Sequence, residues 1–313
     1  MVACIRFAEP LGQILSISSI YSMVQQGYAR LQELLAVAPL ARVGEAAAPT
    51  RHDITFENVH YHYDANPEPV LRGINLHIPE RALTALVGHS GCGKTTLIRL
   101  IRLIMRYADP QQGRVLIGGS DIRALTQQDL MQQISVVFQD VYLFDDTIGN
   151  NIRLGKADAT DAEIEAAARA ARCHDFIMAM PQGYQTRVGD IGGKLSGGER
   201  QRITIARANL QNRPVLILDE ATAFADAENE ALLMRALAAL MQDKTVLMIA
   251  HRLATIRHAA QILVFDHGQL VEQGDHASLI AQNGRYARLW QAGEAARHWR
   301  IGSAEQKAGD AVL

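Results

Sequence analysis

Gly88-His89-Ser90-Gly91-Cys92-Gly93-Lys94-Thr95 is the segment that most restricts how this chain can fold. It follows the apolar run Leu83-Thr84-Ala85-Leu86-Val87 and precedes a helical run, Thr95 to Met105. Strand, glycine-rich turn and helix in that order make a phosphate-binding loop. The glycines let backbone N–H groups turn inward onto phosphate oxygens, and the positive end of the helix favours the same anion. Lys94 would then reach the β- and γ-phosphates, and the Thr95 hydroxyl would ligate Mg²⁺. A second glycine pair, in Leu195-Ser196-Gly197-Gly198-Glu199, opens another helix far downstream and offers another anion site. One nucleotide does not need two such sites from one subunit. The economical arrangement is two facing subunits, each closing the other's nucleotide.

Val215-Leu216-Ile217-Leu218-Asp219-Glu220 reads as a buried strand ending in two carboxylates. Asp219 would hold Mg²⁺ through the metal's water shell, and Glu220 could polarise the attacking water. Phosphoryl transfer needs little beyond such positioning and charge stabilisation. Further apolar runs, Ser135 to Phe138, Thr245 to Ile249 and Ile262 to Phe265, look like strands buried on both faces of a largely parallel sheet. Helical stretches such as Asp161 to Arg172 and Asp226 to Met241 separate several of them. Ile54 to Tyr63 and Val70 to Ile78 have no helix between them, which suggests an antiparallel β portion. There is no internal repeat.

Composition closes off other classes. A formal net charge of −2 gives no global attraction to nucleic acid or anionic lipid. Cys4, Cys92 and Cys173 are odd in number, scattered and without metal spacing, which suits a reducing compartment. No run reaches the ~18 apolar residues that a membrane-crossing helix needs.

The first fifty or so residues differ from the rest. Ile14, Ile17, Tyr21, Val24, Tyr28, Leu31 and Leu35 recur at alternating spacings of three and four, the seam of an amphipathic helix from Leu11 to Val37. Ser and Gln residues interrupt its apolar character. That makes lipid a poor solvent for it and argues against a signal peptide. Residues 41–52 read as a linker, and the tail after Trp299 as polar and loose.

Taken in order, these motifs resemble the nucleotide-binding domain of an ABC transporter over roughly Asp53 to Gln291. The resemblance implies a P-loop NTPase core of the α/β class. It has a mostly parallel sheet, an antiparallel β subdomain and a helical subdomain, here preceded by the N-terminal amphipathic helix. It carries ATP contacts to Gly88, His89, Ser90, Gly91, Cys92, Gly93, Lys94, Thr95 and Thr96, and stacks adenine on Tyr63. Catalysis is implied for Glu220 as base, His251 as the switch histidine, Gln139 of the Q-loop, and Lys94. Thr95, Gln139 and Asp219 are implied around Mg²⁺, and Asp226 is the D-loop aspartate. Ser196, Gly197 and Gly198 match the signature motif, which acts on the partner subunit's γ-phosphate. Lys94, Glu220 and His251 are all present, so the site reads as competent.

Two features resemble the exporter type, a fused half-transporter. Thr186-Arg187-Val188-Gly189-Asp190 is similar to the X-loop, with Asp190 where Glu is common. Residues 1–40 resemble the cytoplasmic extension of the last transmembrane helix. The resulting division is 1–40 extension, 41–52 linker, 53–291 ATP-binding domain and 292–313 tail. Glu199 replaces the commoner Gln, and Ala223-Phe224-Ala225-Asp226 lacks the usual D-loop serine. Glu199 and the stretch 221–230 resemble the siderophore-uptake subgroup of yersiniabactin and mycobactin type.

The implied partners are a second nucleotide-binding domain, as homo- or heterodimer, and a transmembrane domain missing here or on a separate chain, with no nucleic acid. The implied location is the cytoplasmic face of the inner membrane, through that partner. Two alternatives stay open: a soluble ABC ATPase outside transport, and a truncated fragment without function.

Overall fold

The chain's computed structural model describes residues 2–63, 66–88, 94–189, 192–193, 195–219, 227–250 and 253–295. It divides into two compact units, 1–41 and 42–313.

The first unit is one helix, α1 (Val2–Ala36). It starts earlier than the seam predicts and runs through Pro10, whose ring removes one helical hydrogen bond. Its 35 residues span about 50 Å at the usual rise. Within this unit, Ile17, Tyr21, Val24, Tyr28, Leu31 and Leu35 are all exposed. No described helix is long and apolar enough to cross a membrane.

The second unit begins with a segment bonded along its length. The Val43 and Ala46 N–H groups donate to the carbonyls of Arg123 and Ala124. The His52 N–H donates to Glu80 Oε1 at 3.0 Å. Strands β1 (Ile54–Tyr63), β2 (Asn66–Ile78) and β3 (Leu83–Gly88) follow, then helix α2 (Lys94–Ile104). Next come β4 (Gln112–Ile117), β5 (Ser120–Asp121), α3 (Gln127–Gln133) and β6 (Ile134–Val137). A helical stretch contains α4 (Ile148–Arg153), α5 (Asp161–Ala170), α6 (His174–Ala179) and α7 (Gly197–Gln211). The chain then alternates through β7 (Val215–Asp219), α8 (Ala227–Met241), β8 (Thr245–Ile249), β9 (Gln261–Asp266), β10 (Gln269–Gly274) and α9 (His276–Ala281).

Two sheets result. The 4-stranded one is antiparallel, in the order β2-β1-β4-β5; the 6-stranded one has the order β10-β9-β3-β8-β7-β6. In the larger sheet β3, β6, β7, β8 and β9 are parallel, and β10 closes the edge antiparallel.

Period-two packing explains why the parallel strands are apolar throughout. Val87, Leu216, Leu218, Val246 and Val264 face a layer with Ile203 and Ala206 of α7 and Leu233 and Leu237 of α8. Their neighbours Leu86, Ile217, Leu247, Ile249 and Leu263 face Leu100 and Ile104 of α2 and Ile54 and Phe56 of β1. Each aliphatic side chain so buried contributes about 1.5–3 kcal/mol. The sheet is therefore the middle layer, and its strand ends cannot drift independently.

The helix ends are set locally. Thr160 caps α5 in a reciprocal box with Glu163. α5 stops at Ala170, short of the Arg172 suggested by periodicity, because Arg172 turns left-handed with φ 56°. Asp226, expected to start α8, lies outside the described residues, as does the tail after Trp299.

A bulge aims the end of β1. Glu57 faces Arg114 but His60 faces Gln112, so β1 carries one residue more than β4 over that interval. Asn58 takes φ 48° there, and Gly113 opposite takes φ 82°. A Cβ on Gly113 would lie 2.3 Å from both the Glu57 and Asn58 carbonyl oxygens. We expect Gly113→Ala to cost about 3 kcal/mol, the upper part of the single-substitution range, read as a lower midpoint in chemical denaturation. Burial pushes the Cys173 thiol up to about 12. Cys173 should therefore resist alkylation near neutral pH in the folded protein and react on unfolding, which peptide mapping after labelling checks.

Candidate nucleotide-binding site

Register brings the motifs together. Leu86 of β3 pairs with Ile249 of β8, and Ile249 pairs with Asp219 of β7. Leu218 pairs with Val137 of β6. Four parallel strands thus end along one edge of the sheet. Gly88 ends β3, Asp219 ends β7, Ala250 follows β8 and Gln139 lies just past β6. Crevices at the carboxyl ends of parallel strands are where ligands bind in open α/β sheets.

Residues 89–93 of the phosphate loop lie outside the described residues, and so do Glu220, Asp226 and His251. Lys94, Thr95 and Thr96 form the first turn of α2; their side chains lie outside the description, as does that of Tyr63 at the end of β1. What is described is the frame: a strand ending at Gly88 and a helix beginning at Lys94. That frame points a helix N-terminus at the intervening loop, the arrangement an anion needs.

Oxygen donors suit Mg²⁺, which favours carboxylate, hydroxyl and water ligands. Asp219 could supply a carboxylate oxygen and Gln139 an amide oxygen from neighbouring strand ends, with Thr95 at the start of α2. The donor set fits the metal.

Ser196 is the N-cap of α7, and it forms a reciprocal box with Glu199. Its Oγ accepts the Glu199 N–H at 3.3 Å, and Glu199 Oε2 accepts the Ser196 N–H at 2.8 Å. Glu199 thereby has a role inside its own subunit: it satisfies an amide that would otherwise have no helical acceptor. Ser196 is exposed and Gly197 half-buried, so the first turn of α7 opens outward. Gly198 is buried against Asn229 of α8. Gln139 and Gly197 line one cleft of 590 Å³ with Arg200 and Gln201.

Two residues missed in the sequence join these parts. Asn151 of α4 is buried. Its amide accepts the Phe144 N–H and donates to the Phe144 and Thr147 carbonyls. Arg207 of α7 donates through Nε to the Asn151 carbonyl at 2.9 Å. Burial lowers its pKa. The loop after Gln139 is thus bound to the helix that Ser196 caps. Nothing in sequence marks a lone Arg or Asn for this work. The X-loop-like segment packs on the same loop: the Ile148 N–H donates to the Thr186 carbonyl, and the Val188 N–H to Asp146. Asp190 lies outside the described residues.

The box yields a prediction. Glu199→Ala should cost about 1 kcal/mol of stability, the usual value of a helix cap. Glu199→Gln, which retains an acceptor for the Ser196 N–H, should cost less than half of that. Urea denaturation midpoints of the two variants decide.

Known proteins share this arrangement. A family model described as ABC transporter matches residues 71–223. The chain is 44% identical over 280 residues to the ATP-dependent lipid A-core flippase of Syntrophus aciditrophicus (strain SB), covering 88% of this chain and 45% of that protein. It is 47% identical over 224 residues to YgaD of Bacillus subtilis (strain 168), a candidate multidrug export ATP-binding/permease protein, covering 72% of this chain and 38% of YgaD. The solved structure of a bacterial Atm1-family ABC exporter with ATP bound superimposes with a TM-score of 0.77 at 40% identity, covering 88% of this chain and 48% of that one. The chain thus spans about half the length, or less, of these relatives. With the parallel sheet, the antiparallel β sheet and the capped helix α7 in place, the chain is an ATP-binding ATPase domain of the ABC transporter fold, similar over this length to the corresponding part of exporter-type proteins.

Proposed function

We propose that this chain hydrolyses ATP in a dimer of nucleotide-binding domains and so drives a transmembrane domain. The observation that carries this is the convergence of Gly88, Asp219, Ala250 and Gln139 on one sheet edge, while the first turn of α7 opens outward from its own subunit. Tyr63 stacks adenine. The backbone from Gly88 to Gly93 and Lys94, Thr95 and Thr96 hold the phosphates. Thr95, Gln139 and Asp219 would hold Mg²⁺, which would supply charge to offset that of the phosphates. Glu220 takes the proton of the attacking water, and His251 and Lys94 contact the γ-phosphate. Ser196, Gly197 and Gly198 reach the partner subunit's γ-phosphate, and Asp226, the D-loop aspartate, belongs to the nucleotide-binding set.

The flippase and multidrug export names of the relatives favour an amphipathic, lipid or drug-like cargo. Glu199 and the stretch 221–230 favour a second reading, siderophore uptake. The cargo would bind the transmembrane domain, which on this reading holds the chain at the cytoplasmic face of the inner membrane. The division into 1–40 extension, 41–52 linker, 53–291 ATPase domain and 292–313 tail follows from the same reading. A net charge of −2 gives no support to nucleic acid as a partner.

The test is the Mg-ATPase rate of the purified chain against its concentration. The rate per molecule should climb with concentration, because trans groups supply about 10³–10⁵ in rate in other phosphoryl-transfer systems. Glu220→Gln should lower kcat by at least about 10²-fold, as loss of a general base does, with ATP binding retained. A concentration-independent rate would overturn the composite site. An unaltered kcat in the variant would remove Glu220 from the chemistry. Negligible hydrolysis at every concentration despite ATP binding would favour the fragment reading.

A further inference from the structure

β1 and β4 stop pairing before β1 ends. Their last register pair is His60 with Gln112, yet β1 continues to Tyr63. Gln111 bridges the interval. Its N–H donates to the His60 carbonyl at 3.1 Å. Its side-chain Oε1 accepts the His62 N–H at 3.0 Å, and its Nε2 donates to the His62 carbonyl at 3.0 Å. A primary amide offers the donor and acceptor of a peptide group. Gln111 therefore adds one side-chain rung to the ladder, at the residue before Tyr63. On its other edge β1 pairs with β2, and there the register shifts between Tyr61 and Tyr63.

The turn presenting Gln111 is itself fixed. Arg106 is buried with φ 53°. It holds Asp109 through Nε at 3.0 Å and a second guanidinium nitrogen at 3.3 Å. Pro110 follows, its ring restricting φ. Arg106 lies just past α2, which begins at Lys94. One stiff piece, α2 and its turn, therefore reaches from the phosphate loop to the end of β1.

We propose that Gln111 is a positioning residue for the adenine base: by holding the His62 backbone it sets where Tyr63 stands relative to the phosphate-binding helix. This rests on the reading of Tyr63 as the adenine platform. A merely structural Gln111 would loosen the whole site. A positioning Gln111 affects the base and spares the phosphates. Inorganic tripolyphosphate, which has no base, separates the two.

The experiment titrates ATP and tripolyphosphate, each with Mg²⁺, into the full chain and its variants Gln111→Ala, Gln111→Glu and Tyr63→Leu by calorimetry, with KM and kcat measured alongside. Gln111→Ala should weaken ATP about fivefold, part of what an aromatic–base stack is worth, and change tripolyphosphate by less than about twofold. KM should rise with kcat unchanged. Gln111→Glu should lose at least as much, because a carboxylate cannot donate to the His62 carbonyl and repels it. Tyr63→Leu should show the same selectivity. If Tyr63→Leu leaves ATP affinity intact, the platform reading fails and the proposal fails with it. If Tyr63→Leu weakens ATP but Gln111→Ala does not, or Gln111→Ala weakens both ligands alike, the role of Gln111 is overturned and the platform stands.

Discussion

The in-register pairing of Leu86, Ile249 and Asp219 across three parallel strands is the constraint on which the rest depends. Parallel hydrogen bonding fixes the relative heights of strands that are far apart in sequence. A slip of one residue would turn every apolar side chain to the wrong layer. With both faces buried, the cost of that slip falls on two cores at once. The carboxyl ends of β3, β7 and β8 are thus held level by packing far from any ligand. Polar groups beyond those ends inherit a precision that loops alone could not provide.

The helix N-terminus is used twice, with opposite accounting. At α2 the helix N-terminus follows a glycine-rich segment, and on the proposed reading its first amides would receive phosphate. At α7 the first amides are partly satisfied in the free subunit, by Ser196 and Glu199. Such a box stabilises the helix, and it also places a carboxylate near a turn that on the proposed reading receives an anion. Ser196 Oγ accepts within the box, which leaves its own hydrogen free to donate outward. On that reading helix stability and phosphate affinity would pull on the same few atoms, and the choice of residue 199 would set the balance between them.

Much of the frame was legible because it follows from local rules. Strands β6, β7, β8 and β9 were visible as short apolar runs, since burial on both faces erases alternation. The order of motifs gave the family. What was not legible depends on contacts between distant segments. Periodicity could not see that α1 passes through Pro10 or that α5 ends where Arg172 turns left-handed. Nor could it see that residues 42–52 hydrogen-bond along their length to Arg123, Ala124 and Glu80. Asn151 and Arg207 matter through carbonyls that no pattern announces. Gln111 lies in an ordinary turn sequence, and only the register of β1 against β4 shows what its amide does.

Phosphate and base are commonly treated as separate halves of a nucleotide site, but on the proposed reading they would share a mechanical part here. α2 starts at the phosphate loop and packs Leu100, Leu103 and Ile104 against the core. Arg106 and Asp109 turn the chain directly after it. Arg106 has burial to overcome, and its bidentate partner and the Arg123 carbonyl offset that cost. An ion pair so enclosed contributes little net stability, yet it makes alternative turn geometries expensive. The turn then hands Gln111 to the end of β1, whose direction was already set by the bulge opposite Gly113. The distance between a γ-phosphate and an adenine ring is bounded by the linking ribose and triphosphate, whose bonds rotate freely in solution. On the proposed reading, a domain that meets both ends through one helix and one turn would select one such distance without closing around the ligand first. On the proposed reading, the motion left over would be that of a second subunit, bringing the outward-facing turn of its α7 onto a nucleotide already held.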